Sequence, residues 1–358
     1  MANQKSVRSK RKTGNKPARP RMADVGKLAG VSACTVSRAF NSPETVRPQI
    51  LEKVHKAAKE LNYSLNPAAK ALRLQQTHIF GVIIPTLNHA MFAELVNSFQ
   101  STLSESGYAP VIITTGFDNR NIFDHIRAIV ERGAEGLLMV GRVEDPRVRE
   151  FIERSHLPVV TTYSYLEDES IPSIGFDNYQ SARQSVDYLL ALGHTKIAMI
   201  AGPSQGNDRQ QSRIQAFRDA REMAGIKEEW PVVENAYDSA YASGANVMHS
   251  LLVSHPDLTA VVCSSDTFAI GALQEAKRMG LRVPEDVSII GHDDFELAQL
   301  LDPALSTVKV PAAEMGKRCA EALLNAKVGN NPIVSRKLNA SLILRDSAAP
   351  PKTKTKAA

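Results

Sequence analysis

The 358-residue sequence is poor in cysteine and has no long apolar run. Its three cysteines, Cys34, Cys263 and Cys319, are far apart and form no CxxC pair, which argues against a disulfide framework and against a zinc site. The longest apolar stretch, around residues 79–85, is far shorter than the roughly 20 residues that a membrane-spanning helix needs. No apolar segment follows the basic N-terminus, so no secretory signal is expected. These absences predict a cytoplasmic protein without membrane contact.

Motifs for nucleotide binding and catalysis are absent as well. The sequence contains neither GxGxxG nor GxxxxGKS/T, and the glycines of AGPSQG, residues 201–206, have the wrong spacing for either motif. It also lacks the HExxH metal motif and the GxSxG nucleophile motif. We therefore predict no catalytic residue, no metal and no cofactor, and a protein that is not an enzyme.

Acidic side chains are missing from residues 1–21, which hold eight lysines and arginines. Residues 22–76 carry eight basic and four acidic side chains, whereas residues 77–346 carry ten more acidic than basic ones. A basic head on an acidic body favours a polyanion as the partner of the head. We predict a disordered basic arm over 1–21, although the arm alone is also compatible with a solubilising segment, and a disordered tail over 347–358.

Residues 22–65 have the pattern of a helix-turn-helix domain. Helical spacing begins at Met22, Gly30 supplies a turn, Ser32 caps a second helix, and a third helix begins at Pro48. Two short helices that are joined by a tight glycine turn and supported by a third form this DNA-binding motif.

The second helix has two different faces. The inward face is apolar and consists of Val36, Ala39 and Phe40. The outward face is small or polar and consists of Ala33, Cys34, Ser37 and Arg38. Thr35, Ser37 and the helix N-terminus are placed for contacts with DNA phosphates. Inward packing of Ala33 and Cys34, and a redox role for Cys34, are the alternatives.

The stretch MADVGKLAGVSACTVSRAFNSPETVRPQILEKVHKAAKELNYSLNPAAKAL, residues 22–72, resembles the N-terminal region of the lactose repressor/galactose repressor family of bacterial transcription regulators. The resemblance implies that Ala33, Cys34 and Arg38 contact base edges in the major groove, with Arg38 on guanine and Ala33 on a thymine methyl group. Two positions depart from the family, since Gly26 replaces an alanine and Arg47 replaces the serine or threonine that would cap the third helix.

Residues 66–77 are predicted to form a hinge helix and linker. Asn66 is a good N-cap and Pro67 a good first helical residue, but the helix is too short to be stable alone. The family resemblance implies that this segment, from Asn66 to Leu72, becomes ordered on operator DNA, where Leu72 enters the minor groove. A plain linker with Leu72 packed on the following domain is the alternative.

Residues 78–346 alternate short β-branched runs with amphipathic helical stretches. This alternation predicts parallel sheets with helices on both faces, and the length of the region favours two doubly wound lobes over one sheet. The predicted fold class is therefore α/β, with an all-α helix-turn-helix domain at the N-terminus. Ligands of such folds bind beyond the carboxyl ends of the strands, here in a cleft between the lobes.

The segments GFDN, LGHTKIAMIAGP, CSSDTFAIGAL and GHDD extend the family resemblance over this region, whose core is similar to periplasmic sugar-binding proteins. By position, the resemblance implies an effector site that consists of Met91, Phe92, Asp177, Arg213, Ser265 and Asp293. Carboxylates and an arginine suit a polyol, because they accept from and donate to its hydroxyl groups. Two alternatives stay open, namely that Asp177 only caps a helix and that Asp293 is a permanent partner of Arg213. Ser239 replaces a frequent aromatic residue.

Together these features predict a repressor that acts as a homodimer on palindromic double-stranded operator DNA and responds to a small sugar or sugar acid. IIPTLNHAMFAELV, residues 83–96, most resembles the gluconate-repressor branch, which favours a sugar acid narrowly. The alternatives are a stand-alone sugar-binding protein of the periplasmic type and a non-specific nucleic-acid-binding protein that uses only its basic arm.

Overall fold

The chain separates into two units, Met1–Thr77 and His78–Ala358. The computed structural model describes residues 20–64, 76–119, 121–167, 169–236, 239–329 and 331–352. The predictions for residues 1–19, for Asn66 and Leu72, and for residues 353–358 therefore lie outside the described residues.

The first unit contains the helices α1 (Met22–Ala29), α2 (Ala33–Asn41) and α3 (Pro48–Glu60), with a short 3-10 helix at Pro43–Thr45. Gly30 ends α1 at φ +68°, a left-handed conformation that glycine adopts without strain. The Ser32 hydroxyl accepts a 3.1 Å hydrogen bond from the Thr35 N–H and caps α2. Six buried side chains form the core of this unit, namely Val25, Val36, Ala39, Val54, Ala57 and Ala58. The predicted helix-turn-helix is confirmed.

The second unit contains twelve strands within the described residues. They are β1 (Ile79–Ile84), β2 (Ala109–Thr114), β3 (Leu137–Val140), β4 (Val159–Thr162), β5 (Ser173–Phe176), β6 (Ile197–Ala201), β7 (Val232–Glu234), β8 (Ala260–Cys263), β9 (Ser288–Asp293), β10 (Ser306–Lys309), β11 (Arg336–Leu338) and β12 (Ser341–Ile343). They form two six-stranded sheets, of order β11-β5-β4-β3-β1-β2 in the N-terminal lobe and β12-β10-β9-β8-β6-β7 in the C-terminal lobe.

Every strand pairing is parallel except that between β10 and β12. The helices of this unit are α4 (Ala90–Glu105), α5 (Ile122–Glu131), α6 (Pro146–Ser155), α7 (Asn178–Ala191), α8 (Asp208–Met223), α9 (Ala240–Ser254), α10 (Asp266–Arg278) and α11 (Ala312–Gly329). They cover both faces of the sheets, so the central strands β3 to β6, β8 and β9 are buried along their whole length. The predicted two-lobed α/β core is confirmed.

The chain crosses between the lobes after β5, after β10 and between β11 and β12. The polar residues of the cleft lie in the segments that follow β1, β3, β4 and β5 in one sheet and β6, β8 and β9 in the other. The cleft is therefore assembled from many short loops at the carboxyl ends of parallel strands.

The predicted disordered tail is wrong for its first six residues. Ser347 is fully buried, and its hydroxyl accepts from the Ser306 N–H at 2.8 Å and donates to the Ile289 carbonyl at 2.6 Å. The Ala349 carbonyl lies 2.9 Å from His194 Nε2. Composition indicated disorder here because proline, lysine and small residues carry little apolar surface, but hydrogen bonds fasten residues 347–352 to the C-terminal lobe.

Candidate DNA-binding surface and ligand cleft

The outward face of α2 is as predicted. Ala33, Cys34 and Arg38 are exposed, whereas Val36 and Ala39 are buried against the rest of the three-helix unit. The alternative in which Ala33 and Cys34 pack inward therefore does not hold. A helix with small side chains at its exposed N-terminal end and an exposed arginine one turn later has the form that enters a major groove.

Thr35 and Ser37 take part in contacts that fix this helix. The Thr35 N–H completes the cap with Ser32, and the Asn41 side chain donates to the Ser37 carbonyl at 2.6 Å. Asn41 also reaches the Ser37 hydroxyl at 3.3 Å. Phosphate contacts by Thr35 and Ser37 remain a prediction, as do the base contacts of the exposed face.

Arg213 lies at the centre of the cleft between the two lobes. It is 3% exposed, its Nε donates to Asn178 Oδ1 at 3.0 Å, and one terminal nitrogen donates to the Ser264 carbonyl at 2.7 Å. Asn178 in turn donates to the Tyr163 carbonyl at 2.7 Å. Because Tyr163 follows β4 and Ser264 follows β8, these bonds connect the carboxyl ends of both sheets.

Asp293 lies at the end of β9 in this polar cluster. It is 5% exposed, and neither carboxylate oxygen has a hydrogen-bond partner among the described residues. Burial raises the pKa of this carboxyl group well above its ordinary value, while the charge of Arg213 acts in the opposite direction and that of Asp266 in the same direction. Asp293 is thus not a hydrogen-bonded partner of Arg213 in this structure, and its oxygens are available to a ligand.

The backbone is strained at the same place. Asp293 has φ +122° and Tyr163 has φ +68°, conformations that are unfavourable for residues with a side chain. Tyr163 is fully buried, and its hydroxyl donates to the Met91 carbonyl at 2.8 Å. Strained residues of this kind cluster at ligand-binding sites.

Two predicted site residues have packing roles in the N-terminal lobe. Met91 and Phe92 belong to its apolar core, and the Phe92 ring meets the Tyr163 ring edge-on at 5.1 Å between centroids. Ligand contact by Met91 and Phe92 stays a prediction.

Asp177 caps a helix, as one of the two alternatives proposed. Its carboxylate caps α7 by accepting from the Gln180 N–H at 3.0 Å and forms a 2.8 Å ion pair with Lys337 on β11. Each oxygen therefore has one partner, and ligand contact by Asp177 stays a prediction. The next residue, Asn178, accepts from Arg213 and donates to the Tyr163 carbonyl in the cleft. Ser265 is 2% exposed and caps α10 through the Thr267 N–H at 3.2 Å.

The sequence reasoning missed Tyr163, Asn178, Arg209 and His292. His292 is 2% exposed, burial lowers its pKa well below the ordinary value, and its ring centroid lies 6.2 Å from that of Phe176. Arg209 precedes Arg213 by one helical turn on α8, so the spacing of two arginines on one helix face was the signal that could have found it.

The mouth of the cleft is a cavity of about 360 Å³ between the lobes. Thr86, His89 and Phe117 line it from the N-terminal lobe, and Ser239 and Tyr241 line it from the C-terminal lobe. Burial lowers the pKa of His89 to about 4, so this ring is neutral. Tyr241 is 52% exposed, and it supplies an aromatic ring two residues from the position where Ser239 lacks one.

In the part of the chain that the structure describes, no three His, Cys, Asp or Glu side chains are grouped as metal ligands. The same residues include no helix of the length and apolarity that a membrane span requires.

Two family models match different parts of this chain. Residues 21–66 match that of bacterial regulatory proteins of the lacI family, and residues 186–348 match that of a periplasmic binding protein-like domain.

Similar proteins cover both units. The HTH-type transcriptional repressor CytR of Escherichia coli is 32% identical over 91% of this chain and 95% of its own length. The HTH-type transcriptional regulator GntR of Escherichia coli is 30% identical over 92% of this chain and 98% of its own. The crystal structure of the lac repressor dimer bound to operator and the anti-inducer ONPF superposes with a TM-score of 0.80 at 26% identity, covering 92% of this chain and 99% of that one.

Proposed function

Since the chain belongs to the lacI family of bacterial regulatory proteins, we propose that it is a repressor that binds a palindromic operator as a homodimer and changes its operator affinity when a small sugar or sugar acid occupies the core cleft. Such a regulator acts where the chromosome is, in the bacterial cytoplasm.

The exposed face of α2 is the observation that carries the DNA-binding half of the proposal. Ala33 and Cys34 allow the helix backbone to approach the bases, and the Arg38 guanidinium can donate to both O6 and N7 of a guanine. Because the buried side of α2 is formed by Val36 and Ala39, the outward side chains have no packing role that competes with DNA contact.

The polar cluster of the core supports the effector-binding half. A buried carboxyl group without a hydrogen-bond partner, at Asp293, is costly unless a ligand supplies partners. Polyol hydroxyl groups are such donors, and they also accept from guanidinium groups. The aromatic rings of Phe117 and Tyr241 at the mouth suit the C–H faces of a sugar.

Exposed apolar side chains support the homodimer. Leu297 and Leu300, on a short 3-10 helix of the C-terminal lobe, are 44% and 70% exposed. Apolar surface of this kind, when it is grouped, marks interaction sites. We therefore propose that two copies of the chain associate as a homodimer.

The coupling between ligand and DNA runs through the hinge, residues 66–77. Ligand that bridges the two lobes changes the angle between them, and in a dimer this alters the distance between the two hinges. Two Leu72 side chains have to meet at the operator centre, so this distance affects operator affinity. Couplings of this type are typically about 1–3 kcal/mol.

The test is to sequence the fragments that the purified protein binds from the genome of its own organism. We expect a palindromic consensus with two half-sites, next to genes whose products handle the effector. Fluorescence anisotropy with that operator should then show an affinity change of roughly 5- to 150-fold when the effector is added. Uniform binding to all DNA would overturn the proposal and favour a non-specific nucleic-acid-binding protein.

A further inference from the structure

Arg209 has an unused hydrogen-bond donor although it is buried. It is the second residue of α8, it is 5% exposed, and one terminal nitrogen lies 3.2 Å from the carboxylate of Asp208. The other terminal nitrogen, Nη2, is buried and has no hydrogen-bond partner among the described residues. A buried charged donor without an acceptor is unfavourable, so the position requires an acceptor that a ligand would bring.

Arg209 reaches across the cleft from the C-terminal lobe to the N-terminal lobe. It faces Gly141, which directly follows β3 and has φ +84°. A Cβ atom on Gly141 would lie only 2.0 Å from Nη1 of Arg209. The glycine therefore leaves the space that the guanidinium occupies, and the arginine is held at the boundary between the lobes where a ligand would be enclosed.

Arg209 and Arg213 surround the same part of the cleft. The charges of Asp293, Glu94, Arg209 and Arg213 all affect the pKa of the buried Tyr163 hydroxyl, and Arg209, Arg213 and Asp293 are the buried groups among these four. Arg213 already donates to neutral acceptors, the Asn178 side chain and the Ser264 carbonyl. Arg209 is the arginine of this pair with a buried terminal nitrogen still to be satisfied.

The balance of charge also favours an anion. Asp208 pairs with Arg209 and accepts from the Ser164 hydroxyl across the cleft. Burial raises the pKa of Asp293, which favours its neutral form. Two buried guanidinium groups then face the Asp208 side chain, and a carboxylate on the ligand would supply a further counter-charge.

We propose that Arg209 binds a carboxylate of the effector through Nη2, so that the effector is an acidic polyol, a sugar acid, and that Arg209 discriminates it from the neutral sugar. This inference rests on the proposed function and specifies the ligand class of its cleft. Asp293 then contacts hydroxyl groups, which both acids and neutral polyols possess, and the acid preference resides in Arg209.

The test uses pairs of ligands that differ in one group, measured by isothermal titration calorimetry on the full chain. Each aldonate or uronate is paired with its neutral alcohol or sugar, for example D-gluconate with D-glucitol and D-glucuronate with D-glucose. We expect at least one acid to bind the wild type about 100-fold or more tightly than its neutral partner. Arg209→Gln should lose most of this preference, and Arg209→Lys, which keeps the charge, should retain part of it.

Arg218→Gln is the matched control, because Arg218 is exposed on the same helix and its replacement should leave the preference unchanged. A neutral sugar that binds the wild type as tightly as any acid would overturn this inference and leave the proposed function intact. An unchanged acid preference in a folded Arg209→Gln protein would also overturn it. If no acid and no neutral partner bound, the proposed class of effector itself would be wrong.

Discussion

The two units hold their polar functional groups in opposite ways. In the first unit, Ala33, Cys34 and Arg38 stand on an exposed helix face above a core of six small or medium side chains. In the second unit, Arg213 and Asp293 are almost completely buried between two lobes. The first arrangement suits a partner that binds to an exposed surface, whereas the second suits a ligand that is enclosed between the lobes.

This difference has an energetic consequence. An exposed arginine contributes little to the folded state, so its replacement affects binding alone. A buried arginine that satisfies several acceptors contributes to both stability and binding, because its removal leaves those acceptors unpaired. Function and stability are thus separable on α2 and coupled in the cleft.

Arg213→Ala should have the largest effect and is the strongest test of this coupling. It removes the donor to Asn178 Oδ1 and to the Ser264 carbonyl, so we expect a loss of roughly 1–3 kcal/mol in the free energy of unfolding of the core for each acceptor left unpaired. Urea denaturation followed by circular dichroism measures it. The effector response should disappear as well.

Arg218→Ala is the control on the same helix, and it should change stability by less than about 0.5 kcal/mol because Arg218 is exposed. Equal losses in the two variants would mean that the bonds of Arg213 do not stabilise the core, and the contrast between the two units would fail.

The sequence was sufficient for the features that depend on near neighbours along the chain. The faces of α2 follow from helical spacing within nine residues, and the Ser32 cap and the Gly30 turn are local signals. The alternation of strands and helices likewise predicted both lobes. The family assignment is confirmed by relatives such as CytR, and GntR is about as similar.

The cleft was harder to predict because its bonds join distant residues. Arg213 meets Asn178 and Ser264 across 35 and 51 residues, and a shift of one residue separates Asn178 from the predicted Asp177. Arg209 needed the position of Gly141 in the other lobe before its role could be inferred. The ordered tail was missed for the same reason, since Ser347 bonds to Ser306 and Ile289 on strands of the sheet.

Arg38→Ala should have the next largest effect, and only on DNA. Loss of a bidentate contact to guanine costs roughly 1–3 kcal/mol in operator binding and relaxes base preference at one symmetric pair of positions. Fluorescence anisotropy on operator variants measures both quantities. The unfolding free energy should stay within about 0.5 kcal/mol of the wild type, because Arg38 is exposed.

Lys59→Ala on α3 removes the same charge from an exposed position and is the control for non-specific attraction. It should weaken binding to all sequences about equally. Arg38 would not be a base-reading residue if its replacement behaved in the same way.

Asp293→Asn should have the smallest effect. It tests the coupling of stability and ligand binding at a buried group that lacks hydrogen-bond partners, whereas Arg213 has them. Burial raises the pKa of Asp293 in the folded state, so the folded protein keeps a proton that the unfolded chain releases above its ordinary pKa. The stability contribution of this group therefore falls as pH rises between the two pKa values. An asparagine does not titrate, so the variant should gain stability relative to wild type as pH rises above the ordinary pKa of an aspartate, by at most about 1.4 kcal/mol per pH unit.

Differential denaturation at several pH values isolates this gain. The neighbouring His292, whose pKa burial lowers, and Asp266, whose pKa burial raises to about 6, are present in both proteins. The difference between the two curves therefore reports Asp293 together with its charge coupling to Asp266. Glu285→Gln, at an exposed carboxyl group, should reproduce none of it. A variant that lost stability at every pH would indicate that Asp293 is ionised and paired with Arg213. The polar groups of the cleft would then have their partners within the protein, and no ligand would be needed to satisfy them.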